Sequence, residues 1–342
     1  MVALDTPSPP VLEAQDIEVT YSVALSGWFG GNVLLRAVRG VSLWMRAGEC
    51  VGLVGESGCG KSSLGRVLAG LERPAAGTVL IDGRPVQWGR QRAARRHRGP
   101  VQMVFQNPYA SLNPRMSALD AVAEAFRYRE GIDWRSARNR ARQLLEEVGI
   151  EEALARRYPA ALSGGQRQRV AVARALACRP RLLIADEAVS ALDVSVQAQT
   201  LNTLRESQKR LGFGMLFISH DISVVRHLAD RIMVMYLGRI VEEGPAEAVL
   251  DAPRHPYTEA LTAAARWEAA SVKGEPPSPL SPPPGCPYHT RCPLARNTCA
   301  AAEPPLQTVD GDHRTACPHW RELNRTLARQ PEPDVSATTG ML

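Results

Sequence analysis

The sequence predicts an α/β fold in which a parallel β-sheet is covered by helices on both faces. Three short apolar runs carry this prediction, at Cys50–Val54, 181–185 and 215–219. Each run has the length of a buried strand and is paired with a segment of helical character. Strands that alternate with helices favour parallel pairing, because a crossover helix packs back against the sheet.

The remaining elements follow in chain order. Residues 11–48 predict short strands, since apolar and polar side chains alternate within 17–21. A helix is expected at 61–71, after the first buried strand. Residues 115–160 are expected to be largely helical, with a strongly amphipathic stretch at 137–148. The chain is therefore expected to place a β-rich region before the first helix and a helical region in its middle.

Composition and charge limit the possible classes of protein. The chain has 342 residues, of which 44% are hydrophobic, enough for one sizeable core or two modest ones. The net charge of +6 is compatible with nucleic acid, with an anionic membrane surface or with neither. No stretch approaches the roughly 18 continuous apolar residues of a spanning helix, and residues 1–10 lack the pattern of a signal peptide. The chain is therefore expected to be cytosolic, with partner chains supplying any membrane spans.

A glycine-rich phosphate-binding motif follows the first buried strand. Its residues fit G-x-x-x-x-G-K-[ST] and are Gly55, Glu56, Ser57, Gly58, Cys59, Gly60, Lys61 and Ser62, with Ser63 next. The glycines allow backbone N–H groups to turn towards phosphate oxygens at the start of the following helix, where the helix dipole favours anions. Lys61 is predicted to reach the β- and γ-phosphates of ATP, and Ser62 to offer an oxygen ligand to Mg²⁺. Kinases, GTPases and motors share this motif, so it predicts nucleotide binding without specifying the reaction.

A second phosphate-site pattern narrows the family. An N-cap serine and two glycines precede a helix predicted at 167–178, in the order Leu162, Ser163, Gly164, Gly165 and Gln166. This LSGGQ segment resembles the signature of the ATP-binding cassette (ABC) ATPases. The resemblance implies a P-loop ABC-type nucleotide-binding domain, with a RecA-like core, an antiparallel β-subdomain and a helical subdomain. It also implies a dimer, in which this segment of one chain closes over the γ-phosphate of ATP held by the other.

Two carboxylates end the second apolar run. Asp186 and Glu187 follow residues 181–185, an arrangement that alone would suit a solvated turn. The spacing from the LSGGQ segment makes it resemble the Walker B motif. That resemblance implies that Asp186 holds Mg²⁺ and that Glu187 polarises the attacking water as general base, a role typically worth ~10²–10⁴-fold in rate. Ala188 follows where peptide-import ATPases usually have proline, so the turn is expected to be looser.

Four further positions match elements of the ABC family in the expected order. Gln106 resembles the Q-loop glutamine, which senses Mg²⁺ and touches the membrane partner. Asp193 resembles the D-loop aspartate at the dimer interface, and His220 resembles the switch histidine that contacts the γ-phosphate. Tyr21 is the candidate for the aromatic ring that stacks on adenine, against the alternative of an ordinary strand tyrosine.

Three stretches narrow the resemblance to the oligopeptide/dipeptide (nickel/peptide) import ATPases, at 105–116, 189–199 and 255–258. This resemblance implies a peripheral subunit on the cytoplasmic face of the inner (plasma) membrane. Its expected partners are a second, related ATPase chain, two transmembrane permease chains and, indirectly, an extracytoplasmic solute-binding protein. Di- and oligopeptides are the expected solutes, with nickel or other metal chelates and glutathione as alternatives within the same subfamily.

Four cysteines crowd into the C-terminal part of the chain, at Cys286, Cys292, Cys299 and Cys317. Clustered thiols in a reducing compartment favour a metal site over disulfides. Four soft ligands suit an iron–sulfur cluster or zinc, and the spacing is not the C-x₂-C of common zinc knuckles. The segment resembles the C-terminal extension of the peptide-import ATPases, which implies a [4Fe–4S] cluster, with Zn²⁺ as the alternative. We hypothesise that the metal is structural, because so short a segment has few aliphatic side chains to bury.

These observations divide the chain into three parts. Residues 11–255 are predicted to form the nucleotide-binding domain, with the helical subdomain at about 113–168. Residues 256–325 are predicted to form the cysteine-bearing extension. The polar, proline-containing residues 326–342 are predicted to form a disordered tail.

Two other classes of function are weighed against transport. An arginine-rich run at 90–98 is compatible with nucleic-acid binding, but no aromatic residues interleave it and a solvated loop is favoured. A soluble ABC-type ATPase acting on nucleic acid or ribosomes usually carries two cassettes or a long coiled coil, whereas this sequence has one cassette and no heptad array. A purely regulatory metal sensor is disfavoured by the intact Glu187 and His220. No nucleic-acid partner is therefore expected.

Overall fold

The computed structural model describes residues 9–24, 31–88, 100–107, 111–189, 194–266 and 274–327. The strands of these ranges form two sheets. They are β1 (Leu12–Ala24), β2 (Asn32–Met45), β3 (Cys50–Val54), β4 (Ala76–Ile81), β5 (Arg84–Pro85), β6 (Val101–Val104), β7 (Leu182–Asp186), β8 (Gly214–Ser219), β9 (Arg231–Tyr236), β10 (Arg239–Pro245), β11 (Gln307–Asp310) and β12 (His313–Thr315).

The helices lie between and after these strands. They are α1 (Lys61–Leu68), α2 (Ala118–Glu130), α3 (Trp134–Glu147), α4 (Glu152–Ala155), α5 (Gly164–Ala177), α6 (Val194–Leu211), α7 (Ile222–Leu228), α8 (Ala246–Asp251), α9 (Pro256–Ala265), α10 (Asn297–Ala301) and α11 (Trp320–Leu327). A 3₁₀ turn at Pro159–Ala161 precedes α5. No helix in the described ranges is long and apolar enough to cross a membrane.

The larger sheet forms the α/β core. Its strand order is β11-β12-β10-β9-β3-β8-β7-β6, and the five strands from β9 to β6 run parallel. Val51 and Leu53 of β3 face one hydrophobic core, whereas Cys50 and Val54 face the other. The predicted parallel sheet with two covered faces is confirmed for these five strands. The sheet as a whole is mixed, because β10, β12 and β11 add antiparallel strands at one edge that the sequence did not predict.

The smaller sheet, in the order β2-β1-β4-β5, is entirely antiparallel. Its first two strands have 13 and 14 residues and are longer than the short strands predicted. Shifts of register interrupt their pairing, as β-bulges do, which allows two long strands to twist. Val19, Val38 and Leu64 of α1 share one core, so this sheet packs against the helix that follows the phosphate loop.

The middle of the chain is helical, as predicted, and its helices begin at capping residues. The side chains of Ser117, Asp133 and Ser163 accept hydrogen bonds from backbone N–H groups at the starts of α2, α3 and α5. Ala141 and Leu145 of α3 are fully buried, as the predicted amphipathic pattern requires. These packed helices hold α5, which begins within the LSGGQ segment.

The C-terminal part of the chain extends the larger sheet. β12 pairs with β10, and β11 pairs with β12. At this edge the buried His313 Nε2 lies 2.7 Å from Oε1 of the buried Glu242. Helix α11 continues through Leu327, and residues 328–342, the rest of the predicted tail, lie outside the described residues. The arginine-rich run at 90–98 also lies outside them.

Candidate active site

Three parallel strands bring the predicted catalytic residues to one edge of the larger sheet. β6, β7 and β8 are neighbours, and Gln106, Glu187 and His220 follow their C-terminal ends. The carboxyl ends of parallel strands share an edge, so side chains that are distant in sequence meet there. The phosphate loop follows β3, which is the other neighbour of β8. The loop and the three side chains therefore lie along the same edge.

The side chains at this edge of the sheet meet at the Glu187 carboxylate. Gln106 Nε2 donates to Glu187 Oε2 at 2.5 Å, and His220 Nδ1 lies 3.2 Å from Oε1. The Glu187 backbone has a φ of 47°, and its N–H donates to the Ile218 carbonyl at 2.9 Å. A glutamate in this left-handed region is uncommon, and such positions cluster at functional sites. The turn thus presents both oxygens of Glu187 to polar side chains.

Ser62 and Asp186 place two oxygens beside Glu187. Ser62 Oγ donates to Asp186 Oδ1 at 3.0 Å. Burial raises the pKa of Asp186, and the neighbouring charge of Glu187 raises it as well. A carboxylate and a hydroxyl are the hard oxygen ligands that Mg²⁺ prefers, and a cation would relieve the repulsion between the two acids. The donor set therefore fits the predicted magnesium ion.

The whole of the predicted phosphate loop lies at the junction of β3 and α1, with Gly55, Glu56, Ser57, Gly58, Cys59, Gly60, Lys61, Ser62 and Ser63 in sequence. Gly55 and Gly60 have φ values of 156° and 110°. A β-carbon would lie 2.2 Å from a backbone carbonyl oxygen at Gly55 and 2.1 Å from another at Gly60, so neither position has room for a side chain. The buried Lys61 donates from Nζ to the carbonyls of Gly55 at 2.7 Å and Glu56 at 2.9 Å. The Lys61 amine is therefore held against backbone carbonyls of the phosphate loop itself.

Tyr21 lies on β1 beside the start of α1. Its hydroxyl donates to Ser63 Oγ at 3.1 Å, and its ring packs against the core shared with the smaller sheet. Burial raises the pKa of Tyr21. The tyrosine is thus next to the phosphate loop, and its stacking on adenine stays a prediction.

The LSGGQ segment begins α5 with a capping box. The Gln166 N–H donates to Ser163 Oγ at 3.2 Å, and the Ser163 N–H donates to Gln166 Oε1 at 2.9 Å. Gly164 and Gly165 form the first turn of the helix. A β-carbon built at Gly164 would have nothing within 4 Å, so this turn faces open space. The segment is therefore rigid in its backbone and accessible to a partner.

Gln168 connects α5 to the catalytic edge. Its side chain is buried, and Nε2 donates to the Phe105 carbonyl at 3.3 Å. Phe105 directly precedes Gln106, so the helix that begins in the LSGGQ segment is bonded to the turn that contacts Glu187. Asp193, the predicted D-loop aspartate, lies outside the described residues.

The structure also contains contacts to the phosphate loop that sequence reasoning missed. The Arg291 guanidinium binds both carboxylate oxygens of Glu56, at 2.8 and 2.9 Å. The Glu56 N–H donates to the Tyr257 hydroxyl oxygen at 2.8 Å. These partners are 235 and 201 residues from Glu56 in sequence. Tyr257 lies in the 255–258 stretch that resembles the peptide-import ATPases, but nothing in that stretch indicates a contact with the phosphate loop, and no motif marks Arg291.

The four C-terminal cysteines line one cavity of about 320 Å³. The Cys286 N–H donates to the Cys299 carbonyl at 2.7 Å, which fixes two turns of this segment against each other. Burial, with repulsion from neighbouring thiolates, raises the pKa of Cys292 to about 11 and that of Cys317 to about 12. Among the described residues, no three Cys, His, Asp or Glu side chains are grouped so as to hold a metal ion. The thiols therefore share a cavity without forming a ready-made ligand group.

Two family models match the chain. The ABC transporter model matches residues 38–190. The model for the oligopeptide/dipeptide transporter C-terminal region matches residues 241–299, which include the first three of the four cysteines.

Known relatives match most of the chain. The "Probable peptide ABC transporter ATP-binding protein y4tS" of Sinorhizobium fredii is 48% identical, over 91% of this chain and 90% of its own length. The di/tripeptide transport ATP-binding protein DppF of Pseudomonas aeruginosa is 44% identical, over 92% of this chain and 98% of its own. The fold resembles that of a dimeric ATP-binding cassette solved in a post-hydrolysis state with ADP and Pi. That structure has a TM-score of 0.63 and 30% identity, and the match covers 69% of this chain and 98% of the cassette.

Proposed function

The chain belongs to the ATP-binding subunits of the oligopeptide/dipeptide ABC transporters, and we propose that it hydrolyses ATP to drive the import of di- or oligopeptides. One observation carries the catalytic part of this proposal. Gln106 and His220 converge on the Glu187 carboxylate, directly beside the Ser62–Asp186 pair. These contacts support the assignment of Glu187 as the general base, of Gln106 and His220 as its positioning partners, and of Ser62 and Asp186 as the magnesium site.

The chemistry follows from these positions. Lys61 and the backbone N–H groups of the loop bind and orient the β- and γ-phosphates. Ser62 and Asp186 hold Mg²⁺, which when bound neutralises charge on those phosphates. Glu187 polarises the attacking water, while Gln106 and His220 hold its carboxylate in the required orientation. Gln106 also offers an oxygen to the magnesium ion, and His220 a contact to the γ-phosphate.

Hydrolysis on this proposal requires a dimer. The open first turn of α5, at Ser163, Gly164 and Gly165, offers backbone N–H groups at a helix N-terminus to the γ-phosphate of ATP held by a second cassette. By its resemblance to the D-loop, we also assign Asp193, which lies outside the described residues, to the interface between the two cassettes. The similarity to a dimeric cassette with ADP and Pi supports this arrangement.

The remaining partners are those of a peptide importer. A second, related ATPase chain completes the dimer, two permease chains span the inner membrane, and a solute-binding protein delivers the peptide outside. This chain acts at the cytoplasmic face. The resemblance to the Q-loop implies that Gln106 passes the opening and closing of the ATP sites to the permeases. The bonds of its turn to Glu187 and, through Phe105, to α5 support this role.

We further propose that Cys286, Cys292, Cys299 and Cys317 ligate a [4Fe–4S] cluster with a structural role. All four thiols line one cavity of about 320 Å³, which supports this proposal, and four thiolates are the usual ligands of such a cluster. Anaerobic purification should yield about four irons and four sulfides per chain, with visible absorption of the cluster. Cys292→Ser should abolish the iron and sulfide content and the visible absorption. Cys178→Ser, which lies outside the cavity, should leave them unchanged. One zinc per chain and no sulfide would contradict this assignment.

The transport proposal is tested with the membrane complex, purified anaerobically and reconstituted with its solute-binding protein. ATP hydrolysis should be stimulated by di- or oligopeptides and not by glutathione or chelated nickel. Stimulation by one of the latter would reassign the solute within the same subfamily. A chain that hydrolyses ATP but joins no permease would contradict the transport function.

A further inference from the structure

Glu56 is held by the C-terminal part of the chain at both its backbone and its side chain. Its N–H donates to the Tyr257 hydroxyl, and its carboxylate receives two parallel hydrogen bonds from Arg291. Bidentate pairs of this kind are strong and fix orientation as well as distance. The same residue is part of the phosphate loop, and its carbonyl accepts a hydrogen bond from Lys61 Nζ at 2.9 Å. A chain of contacts therefore runs from Arg291 through Glu56 to the lysine that reaches the phosphates.

Arg291 is itself firmly positioned. Its side chain is only 5% exposed, and it also donates to the Tyr236 hydroxyl at 3.2 Å and to the Gly274 carbonyl at 2.9 Å. The rings of Tyr236 and Tyr288 have their centroids 5.9 Å from the guanidinium carbon, and both rings pack with that of Tyr257 at centroid distances of 4.6 to 5.3 Å. A guanidinium with this many partners loses little further freedom when it binds Glu56.

The position of Arg291 depends on the cysteine segment. Arg291 directly precedes Cys292, and Tyr288 lines the same cavity as the four thiols. The Arg291 N–H donates to the Tyr288 carbonyl at 3.0 Å, within a run of tight turns. A change in the shape of the cavity must therefore move the backbone that carries the guanidinium.

We propose that Arg291 is a positioning residue for ATP, which fixes the phosphate loop through Glu56 and so couples the four-cysteine cavity to nucleotide affinity. A loop already held in its binding conformation loses less conformational entropy when phosphate binds. The proposal rests on the proposed function of this site as an ATP site and does not depend on which solute is imported.

The first test compares Arg291→Ala with wild type in the full transport complex. The Kd of a fluorescent ATP analogue and the KM for ATP should each rise about tenfold, the scale of one charged hydrogen-bond pair, while kcat stays within about twofold. Arg291→Lys should recover part of the affinity. The matched control is Arg296→Ala, which removes an exposed ion pair with Glu322 in the same segment and should leave both constants unchanged. Thermal melts establish that each variant is folded.

A second test asks whether Arg291 acts through Glu56. In a Glu56→Gln background, Arg291→Ala should change ATP affinity by less than about threefold, because the charged pair is already absent. A full tenfold effect in that background, or unchanged affinity of Arg291→Ala in the wild-type background, would overturn the positioning role. Wild-type protein that binds no ATP would instead refute the proposed function.

A third test measures whether the four-cysteine cavity affects ATP affinity. Cys292→Ser should weaken binding of the ATP analogue in the same direction as Arg291→Ala, and the two changes together should be less than additive. Cys178→Ser should bind the analogue as wild type does. A Cys292→Ser complex that loses its metal but keeps the wild-type Kd would refute the coupling.

Discussion

Two glutamates of the ATP site are held in opposite ways. Glu187 is bonded to Gln106 and to His220, whose side chain is 51% exposed. Glu56 is bonded to Arg291, whose side chain is 5% exposed, and to the buried Tyr257. Solvent-facing partners can rearrange when substrate arrives, whereas a bidentate pair with a buried guanidinium cannot do so without breaking two charged hydrogen bonds. The site thus contains one carboxylate whose partners can rearrange, that of Glu187, and one whose partners are fixed, that of Glu56.

The largest expected effect is on the rate of ATP hydrolysis when Glu187 is replaced. Glu187→Gln should lower kcat for ATP hydrolysis by ~10²–10⁴-fold, because the base is lost while the shape is kept. The Kd for ATP should change little, since Lys61 and the phosphate loop are intact. Glu147→Gln, which alters an exposed pair with Arg210, is the control. Turnover of Glu187→Gln at the wild-type rate would show that the base lies elsewhere.

Removal of the Glu56 carboxylate should lower the stability of the fold. Glu56→Ala removes the two charged hydrogen bonds that Arg291 donates to its carboxylate, and we expect a loss of about 1.5–3 kcal/mol in the free energy of unfolding. Glu322→Ala, which breaks the exposed pair with Arg296, should cost under about 1 kcal/mol. Thermal or denaturant unfolding of the two variants measures the difference. Equal costs would mean that burial does not distinguish the two pairs.

The stability of the fold around Tyr257 should fall at acidic pH, because the buried His255 caps the helix that begins there. His255, which is 1% exposed, caps α9 by accepting the Tyr257 N–H at 3.1 Å, and burial lowers the pKa of His255 to about 3. Its neutral form is thus favoured in the folded state, so stability is complete above about pH 6.5 and falls as pH drops towards 3, by up to about 1.4 kcal/mol per pH unit. Neighbouring Glu242 accepts the His255 backbone N–H and also contacts His313.

The measurement is the free energy of unfolding as a function of pH in His255→Asn, which keeps a capping side chain without a titrating one. The slope between pH 6.5 and 3 should be shallower than in wild type. His227→Asn, at an exposed position, should retain the wild-type slope. An unchanged slope in His255→Asn would assign the acid sensitivity to groups other than His255.

The catalytic edge was predictable because it depends on contiguous motifs and on one topological rule. The phosphate loop needs glycines at fixed spacing, and Glu187 and His220 each follow a short apolar run. Once those runs pair in parallel, their carboxyl ends must meet. The sequence therefore predicted both the core of the fold and the set of side chains that the structure brings to Glu187.

The contacts of Glu56 and the antiparallel edge were not predictable in this way. Arg291 is 235 residues from Glu56, and a single arginine carries no spacing signal. β11 and β12 have four and three residues, too few for a recognisable alternation, and they form by pairing with β10. Such features depend on long-range packing, which local propensity does not encode.

The Arg291–Glu56 pair also has a consequence for the order in which the protein is made. A growing chain leaves the ribosome from its N-terminus at roughly 5–20 residues per second, and domains tend to fold as they emerge. The glycine-rich turn at 55–62 is synthesised early, yet Tyr257 and Arg291, which hold it, emerge only after most of the chain. If Arg291 has the role proposed above, nucleotide competence is acquired late in biosynthesis, and a truncated or stalled nascent chain would lack a finished ATP site.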